Sequence, residues 1–396
     1  MKTTIIRKIK LKPTKSDIVA LNYTMSQYTS ACNYISKYIF DTKETDSYEV
    51  QKVLYNDVKT NYKLLSQMTC SALKTVCARY KSLLSAKQEW TLCEFKKNQC
   101  ELVWNRDYTL KKDYFAISTL SGRIKIPFVM KGNEKYFDNT IYKFGVAKII
   151  QRGKDFYLYI PVTFNVNSIK VSDNTVVVGI DRGINFIAVT YDSNGKSKFY
   201  NGKNVTKKRE HFKQLRSKLQ KKGTPSARKR LKSIGHRENR WMSDVNHCLS
   251  KALVNQYPSG TLFVLEDLKN VREATKKVKK EKRYVQVSWS YYDLEQKLTY
   301  KAQMKSSKVI KVNAANTSKT CPKCNHKNDA NRDKKNHKFC CKFCGYKSND
   351  DRIGAMNIYA RGLKYKTKCI ENIEKSTTLP TGAQSTVPDI TLIESN

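Results

Sequence analysis

The chain has no run approaching the roughly 18 apolar residues that a membrane-spanning helix requires. Its opening, MKTTIIRKIKLKPTK, puts charges where a secretory leader needs an apolar core. The expectation is a cytoplasmic protein with no membrane partner. Negative charge is scarce as well: 34 Asp and Glu stand against 76 Lys and Arg, a formal net charge of +42 on 396 residues. Such an excess is far beyond what solubility needs, and a compact chain carrying it repels itself unless a polyanion answers it. Nucleic acid fits, because every phosphate contact releases condensed counterions. Disulfide rhythm is missing too. Eight of the twelve cysteines (Cys32, Cys70, Cys77, Cys93, Cys100, Cys248, Cys340, Cys369) follow no pairing pattern, and a long unsecreted chain gives them no oxidising compartment. They read as reduced, mostly buried thiols.

What is present is enough for a real core, and the length suits two or three domains. The alternating start to about Leu11 predicts a strand. Ser16 or Asp17 is then placed to cap a helix with Ile18, Leu21, Met25, Tyr28, Cys32 and Ile35 on one face. SALKTVCARYKSLLS groups Leu73, Val76, Tyr80 and Leu83 the same way, and the two stretches predict a helical layer facing nucleic acid. From about Glu101 to Phe164 the period becomes two, with hairpin turns expected at Ser121-Gly122 and around Gly153. Near Ser172 the pattern changes to continuous apolar runs such as TVVVGI, suited to strands buried on both faces of a mixed α/β sheet. TLFVLEDL and SSKVIKV read as two more such strands.

Between Asn201 and Arg240 there are fifteen Lys and Arg against two Glu, broken at Gly223-Thr224-Pro225. Phe212, Leu215 and Leu219 keep helical spacing, so the segment reads as two basic helical arms rather than a disordered run. Its candidate nucleic-acid contacts are Lys207, Lys208, Arg209, Lys213, Arg216, Lys221, Lys222, Arg228, Lys229, Arg230, Arg237 and Arg240. Trp241, Val245, Leu249 and Leu253 follow at every fourth residue, the stripe of a helix packed on the sheet.

Two constellations carry chemistry. Cys321 and Cys324 form one Cys-x-x-Cys turn, and Cys341 and Cys344 another. Four thiolates close a tetrahedral zinc site with no open position, so the ion is structural. Cys340 competes with Cys341, but only Cys341 has the right spacing to Cys344. The second constellation is acidic. Asp181 ends the run from Val176 to Ile180, Glu266 ends Leu262 to Leu265, and Asp351 immediately precedes the apolar IGAMNI segment. Strand ends are where an open α/β sheet gathers ligands. Three converging carboxylates repel unless cations sit between them, and two Mg²⁺ ions on oxygen ligands are the means of cutting a phosphodiester.

GIDRGINFIAV, VLEDL, TSKTCPKC, CKFCGY and DDRIGAMNI, in that order, resemble the TnpB (OrfB) family of transposon-encoded RNA-guided nucleases, related to type V CRISPR effectors. STLSGRIKIPF is similar to a segment of that family's β-rich wedge. The resemblance covers about residues 1–363 and is most specific from 176 to 363. Departures include Asn325 where the family commonly has Gly, and Ile353 where its pattern has Asn. Counting back from Asn357-Ile358 selects Asp351 over Asp350 for the third acid.

The resemblance implies an α+β multi-domain chain. A β wedge, barrel-like (1–12 and 95–170), would carry a helical recognition insertion (13–94). A RuvC-type, RNase H-like α/β nuclease domain (173–315 and 347–363) would carry an inserted zinc ribbon (316–346); beyond the resemblance, the polar composition after Leu363 reads as a mostly disordered tail (364–396). The resemblance also implies that Asp181, Glu266 and Asp351 form the catalytic, magnesium-holding triad. The implied partners are a guide RNA derived from the transposon end and target double-stranded DNA, with a monomer favoured. In such systems base pairing selects the target, while the protein reads backbone shape and a short flanking motif. The competing functions are a catalytically silent RNA-guided DNA-binding protein, a strand-transferring transposase, and a basic zinc-ribbon RNA-binding protein.

Overall fold

The computed structural model describes residues 2–96, 99–130, 132–138, 141–167, 169–268 and 291–377. The chain divides into two compact units, one spanning Lys2–Asn165 and the other running on from Val166.

The first unit opens with β1 (Lys2–Leu11), continues through α1 (Lys15–Thr42), α2 (Ser47–Asn61) and α3 (Ser66–Ser85), and then returns to strands. These are β2 (Gln99–Leu102), β3 (Tyr108–Leu110), β4 (Tyr114–Thr119), β5 (Gly122–Val129), β6 (Lys143–Phe144), β7 (Ala147–Arg152) and β8 (Asp155–Asn165). The sheet order is β2-β7-β8-β1-β5-β4-β3, with β6 also on β8. β1 lies at its centre, antiparallel to β8 from Lys2 opposite Asn165 to Leu11 opposite Phe156. Side chains alternate across a pleat, so Ile5, Ile9 and Leu11 turn inward with Leu158, Ile160 and Val162, while Lys8 turns outward to lie 3.9 Å from the Tyr157 ring centre. α1 starts earlier than expected. Thr14, not Ser16 or Asp17, is its cap: the hydroxyl accepts from the Asp17 nitrogen at 3.2 Å and the Asp17 carboxylate accepts from the Thr14 nitrogen at 2.9 Å, a capping box. Tyr80 of α3 and Ser36 of α1 share a hydrogen bond of 2.9 Å across the buried seam between those helices.

The second unit contains β9 (Val177–Asp181), β10 (Phe186–Asp192) and β11 (Ser197–Asn201), then α4 (Lys203–Lys222), α5 (Pro225–Ile234) and α6 (Arg237–Gln256). β12 (Leu262–Glu266), α7 (Tyr291–Met304), β13 (Lys308–Val312), β14 (Arg332–Asp333), β15 (Lys338–Cys340), β16 (Lys347–Asn349) and α8 (Asp350–Thr377) complete it. The main sheet runs β11-β10-β9-β12-β13. β12 is parallel to both β9 and β13, while β10 is antiparallel to β9 and β11. Val178, Ile180, Phe263 and Leu265 pack on one face against Leu249 and Leu253 of α6 and Leu294 and Leu298 of α7. Val177, Leu262 and Val264 pack on the other against Ile358 of α8. Covered on both sides, β9 and β12 have no reason to alternate, which is why they read as continuous apolar runs.

α8 lies unusually close to β9. A Cβ on Gly179 would collide with the backbone of Ala355 and Tyr359, so only glycine admits this approach. The helix also runs on to Thr377, past Leu363, where a disordered tail from residue 364 was expected. Leu363 and Tyr365 pack against the sheet cluster, and the Lys366 ammonium donates to the carbonyl oxygens of Asp173 at 2.6 Å and Thr175 at 3.1 Å. Lys364, Thr367 and Lys368 are exposed on this helix, so part of the polar sequence there is a solvated helix face; the rest of the expected tail, 378–396, lies outside the described residues. No helix among the described residues is long and apolar enough to cross a membrane.

Candidate active site

Ile180 is paired with Leu265 in the parallel ladder between β9 and β12, so the next residue of each strand, Asp181 and Glu266, ends its strand beside the other. Asp351 is the second residue of α8, and Gly354, one turn further on, faces the Asp181 carboxylate: a Cβ there would stand 2.7 Å from Oδ2. The spacing of three residues puts Asp351 on that same helix face. Each carboxyl has its pKa raised. Burial lifts Asp181 well above the usual range, and the charges of Glu266 and Asp351 add to it. Burial also raises Glu266, opposed by a hydrogen bond from Thr317 and by the charge of Arg182. Asp351 is raised by burial and then by Asp350. An acid cluster of hard oxygen donors held in mutual repulsion is a place where a divalent cation is favoured.

Several supporting residues escape a sequence reading. Arg182 is buried and donates from Nη2 to the backbone oxygen of Glu266 at 2.6 Å and from Nη1 to that of Tyr291 at 3.4 Å, tying the end of β9 to the end of β12 and the start of α7. The Thr317 hydroxyl donates to Glu266 Oε1. Asp350, fully buried, accepts from Arg332 Nε at 2.8 Å and lies 3.4 Å from the His337 ring nitrogen. Among the described residues, the acidic group whose ligand atoms all lie within 4.8 Å of one another is His337, Asp350 and Asp351, which Asp181 and Glu266 do not join. Asp350 is nonetheless committed to a buried ion pair, whereas Asp351 keeps some exposure at 9%.

The four cysteines singled out by spacing come together, all their sulfurs within 4.8 Å of one another. Cys321 and Cys344 are 3.6 Å apart, and Cys324 and Cys341 3.5 Å. Those separations approach the edge of about 3.8 Å that a tetrahedron with metal–sulfur bonds of about 2.3 Å demands. The two turns are built alike. Asn325 and Gly345 each donate back to the first cysteine of their turn, at 2.9 and 3.0 Å, and both adopt left-handed backbone, φ 57° and 70°. Asn325 therefore performs the turn commonly given to glycine. Ile353 of α8 is buried against Cys321, Phe339 and Cys341, which fixes the cysteine turns to the helix that carries Asp351.

The basic arms form α4 and α5. Lys207, Lys208, Lys221, Lys222, Arg228, Lys229 and Arg230 are exposed there, as are Arg237 and Arg240 at the start of α6, while Lys213 is half-buried. Lys208 lies over the Trp241 ring at 4.7 Å. Two of the candidate contacts are committed elsewhere. Arg209 is only 3% exposed and pairs with the buried Glu238 at 3.4 Å, and Arg216, half-buried, reaches the same carboxylate at 2.5 Å. Their charge compensates a buried acid, so they hold α4 on α6 rather than present a phosphate-binding surface. On the cysteine turns, Phe343 is 76% exposed and stacked on His326, with Lys323, Lys327 and Lys342 exposed around it. No periodicity marks that pair; an exposed aromatic in a tight turn is the only signal.

A family model described as Probable transposase (OrfB_IS605) matches residues 159–274, and one described as Cas12f1-like, TNB domain, matches residues 291–358. The first match contains Asp181 and Glu266; the second contains Asp351 and the four cysteines. The CRISPR-associated endodeoxyribonuclease Cas12f1 of Sulfoacidibacillus thermotolerans is 27% identical over 348 residues, 77% of this chain and 79% of that protein. TnpB-like protein MJ0751 of Methanocaldococcus jannaschii is 32% identical over 156 residues, 38% of this chain and 55% of that protein, so the match spans about half of that relative. A solved Cas12f1–sgRNA–target DNA complex contains a chain that superposes with a TM-score of 0.59 at 16% identity, covering 87% of this chain and 82% of that one. That likeness shows a shared α+β fold. The family resemblance read from the motifs is borne out.

Proposed function

We propose that this chain, a relative of the TnpB (OrfB) and Cas12f1 proteins, is a transposon-associated RNA-guided DNA endonuclease that cuts phosphodiester bonds by metal-dependent, RuvC-like chemistry. The observation that carries the reading is the placement of Asp181 and Glu266 at the neighbouring ends of β9 and β12, with the charge of Asp351 on the helix packed across them acting on Asp181. These three would hold two Mg²⁺ ions, which when bound supply activation of water and stabilisation of the leaving oxygen. The chain's own part is to place the carboxylates where burial and mutual repulsion oppose their ionisation, so that a bound cation is what would favour the charged forms. Arg182 fixes the spacing of the strand ends, and Thr317 fixes the Glu266 carboxylate.

The sulfur separations fit a structural zinc ion on Cys321, Cys324, Cys341 and Cys344. With Ile353 between them and α8, that ribbon would fix the start of the helix and so the position of Asp351. The exposed cations of α4 and α5 and the stacked pair His326–Phe343 offer phosphate and base contacts of the kind single strands use. The first unit would combine wedge and recognition roles, its helices and sheet forming one compact body. The guide RNA would derive from the transposon end and the target would be double-stranded DNA, read by pairing. Retention of all three acids argues against a silent binding protein.

The test is to express the gene with its flanking DNA, sequence the RNA that copurifies, and offer a matched target with and without Mg²⁺. A discrete RNA running into the flank, with Mg²⁺-dependent cutting lost in Asp181→Ala, supports the reading. Unrelated RNAs and no guided cutting overturn it; joined strands without RNA point to a transposase.

A further inference from the structure

We infer that Thr317 is a positioning residue for the metal centre: its hydroxyl holds the Glu266 carboxylate in the orientation a cation needs, and Asn357 of α8 holds Thr317. The inference rests on the metal-dependent reading of the acid cluster. Thr317 is 3% exposed and its hydroxyl donates to Glu266 Oε1, with the Ala314 carbonyl oxygen 3.2 Å away. It stands in the loop between β13 and the first cysteine turn, a loop with no regular ladder of its own. Asn357 supplies what the loop lacks. Its side-chain amide donates to the backbone oxygens of Thr317 at 2.6 Å and Thr320 at 2.8 Å, so both amide hydrogens grip one turn. Four residues along the same helix, Arg361 donates to the backbone oxygens of Asn313 and Ala315. Asn316 at φ 62° closes the turn between these grips.

The arrangement answers a specific physical problem. A glutamate at a strand end has three side-chain torsions, and before a cation arrives the charge on Asp181 drives its carboxylate away. One buried hydroxyl donor restricts the choice of rotamer without neutralising the group, because a threonine has no charge to compete with a cation. Threonine also suits the role sterically, since its branched Cβ leaves few χ1 positions for the hydroxyl. α8 thus acts twice on the centre. It carries Asp351 directly and, six residues later, fixes the loop that orients Glu266.

Outer hydrogen-bond partners of ligating carboxylates are worth roughly 10–100-fold in metal affinity or activity. The test uses the full chain with its guide RNA and titrates Mn²⁺ and Mg²⁺ against Thr317→Val, Thr317→Ser and Asn357→Ala. Two readouts are taken: the metal concentration for half-maximal target cutting, and the metal-induced rise in unfolding midpoint without target. Thr317→Val is expected to need roughly 10–100-fold more metal and to lose most of the midpoint rise at fixed metal, with rate recovering at saturation. Bound zinc and bound RNA stay as in the unaltered protein, and Thr317→Ser restores both readouts. Asn357→Ala shifts both in the same direction by less, and carries the test if Thr317→Val does not fold. Unaltered metal dependence in Thr317→Val, or in Asn357→Ala where it replaces it, overturns the inference, as does a serine variant as impaired as valine. Failure of the unaltered protein to respond to either metal would instead overturn the metal centre itself.

Discussion

Gly179 of β9 and Tyr359 of α8 meet backbone to backbone: a methyl group on Gly179 would stand 2.5 Å from the Tyr359 nitrogen and press on the Ala355 carbonyl oxygen. Neither neighbour is the free end of a side chain, so neither can turn aside. Gly179→Ala must therefore push α8 off the sheet. Overpacking of this kind costs about 1–3 kcal/mol or more. Because the same helix presents Asp351, the variant is expected to lose cutting as well as stability. Denaturant unfolding and a cleavage assay check this together; a variant as stable as the unaltered chain would mean that the close approach does not exist in solution.

Asp181→Asn separates function from stability. The folded-state pKa of Asp181 lies well above its ordinary value because burial and the charges of Glu266 and Asp351 oppose ionisation. A carboxyl with a raised folded pKa contributes stability below its unfolded value of about 3.9, and that contribution is lost as pH rises through the folded pKa. In Mg²⁺-free buffer near neutral pH, the asparagine variant should thus unfold at a higher temperature than the unaltered chain, and the gap should close as pH falls toward 4. Cleavage should be abolished. Thermal melts over that pH range are the measurement, and a variant less stable at neutral pH would show that the cluster is not electrostatically strained.

The three acids could be found in the sequence because each is adjacent to an apolar segment, a local signal. Their supporting residues could not. Arg182 acts on Glu266, 84 residues away; Thr317 acts on the same residue across 51; and Asn357 reaches Thr317 across 40. Nothing local marks an arginine, a threonine or an asparagine for such a partner. The cysteine turns were legible for the opposite reason, since two thiols on one tight turn need a fixed spacing. The misreadings have the same origin. Arg209 sits in a run of cations, and only the fold brings Glu238 beneath it; the start of α1 moved to Thr14 because a reciprocal cap outcompetes a lone Ser16 or Asp17.

Cysteine replacement distinguishes adjacent thiols. Cys341 lies within the four-sulfur cluster, whereas its neighbour Cys340 ends β15, paired with Lys347 of β16. One zinc per chain is expected, retained in Cys340→Ser and lost in Cys341→Ser. Structural zinc supplies about 10–16 kcal/mol of apparent binding energy to small finger peptides, so its loss should unfold the cysteine turns and release the start of α8. Metal analysis with a cleavage assay decides it. Zinc lost equally from both variants would put the site elsewhere.

The basic helices should divide into two kinds of cation. Lys221 and Lys222 lie exposed in the last turn of α4, where the helix dipole favours cations, and Arg228 and Lys229 are exposed on α5. Replacing both with alanine should leave unfolding unchanged and reduce the salt dependence of target binding by the guide-loaded protein, with the log-log slope falling by roughly 0.7–0.9 per lost phosphate contact. Arg209→Ala should do the reverse. It strips one of two guanidinium partners from Glu238, which is 4% exposed, so a buried carboxylate is left half-compensated. Removing a partner from a buried pair costs up to about 3–5 kcal/mol, and with Arg216 still present about half of that is expected. Its salt slope should not change. If Arg209→Ala instead lowered the slope at unchanged stability, the buried pair would be open in solution and the arginine free to meet phosphate.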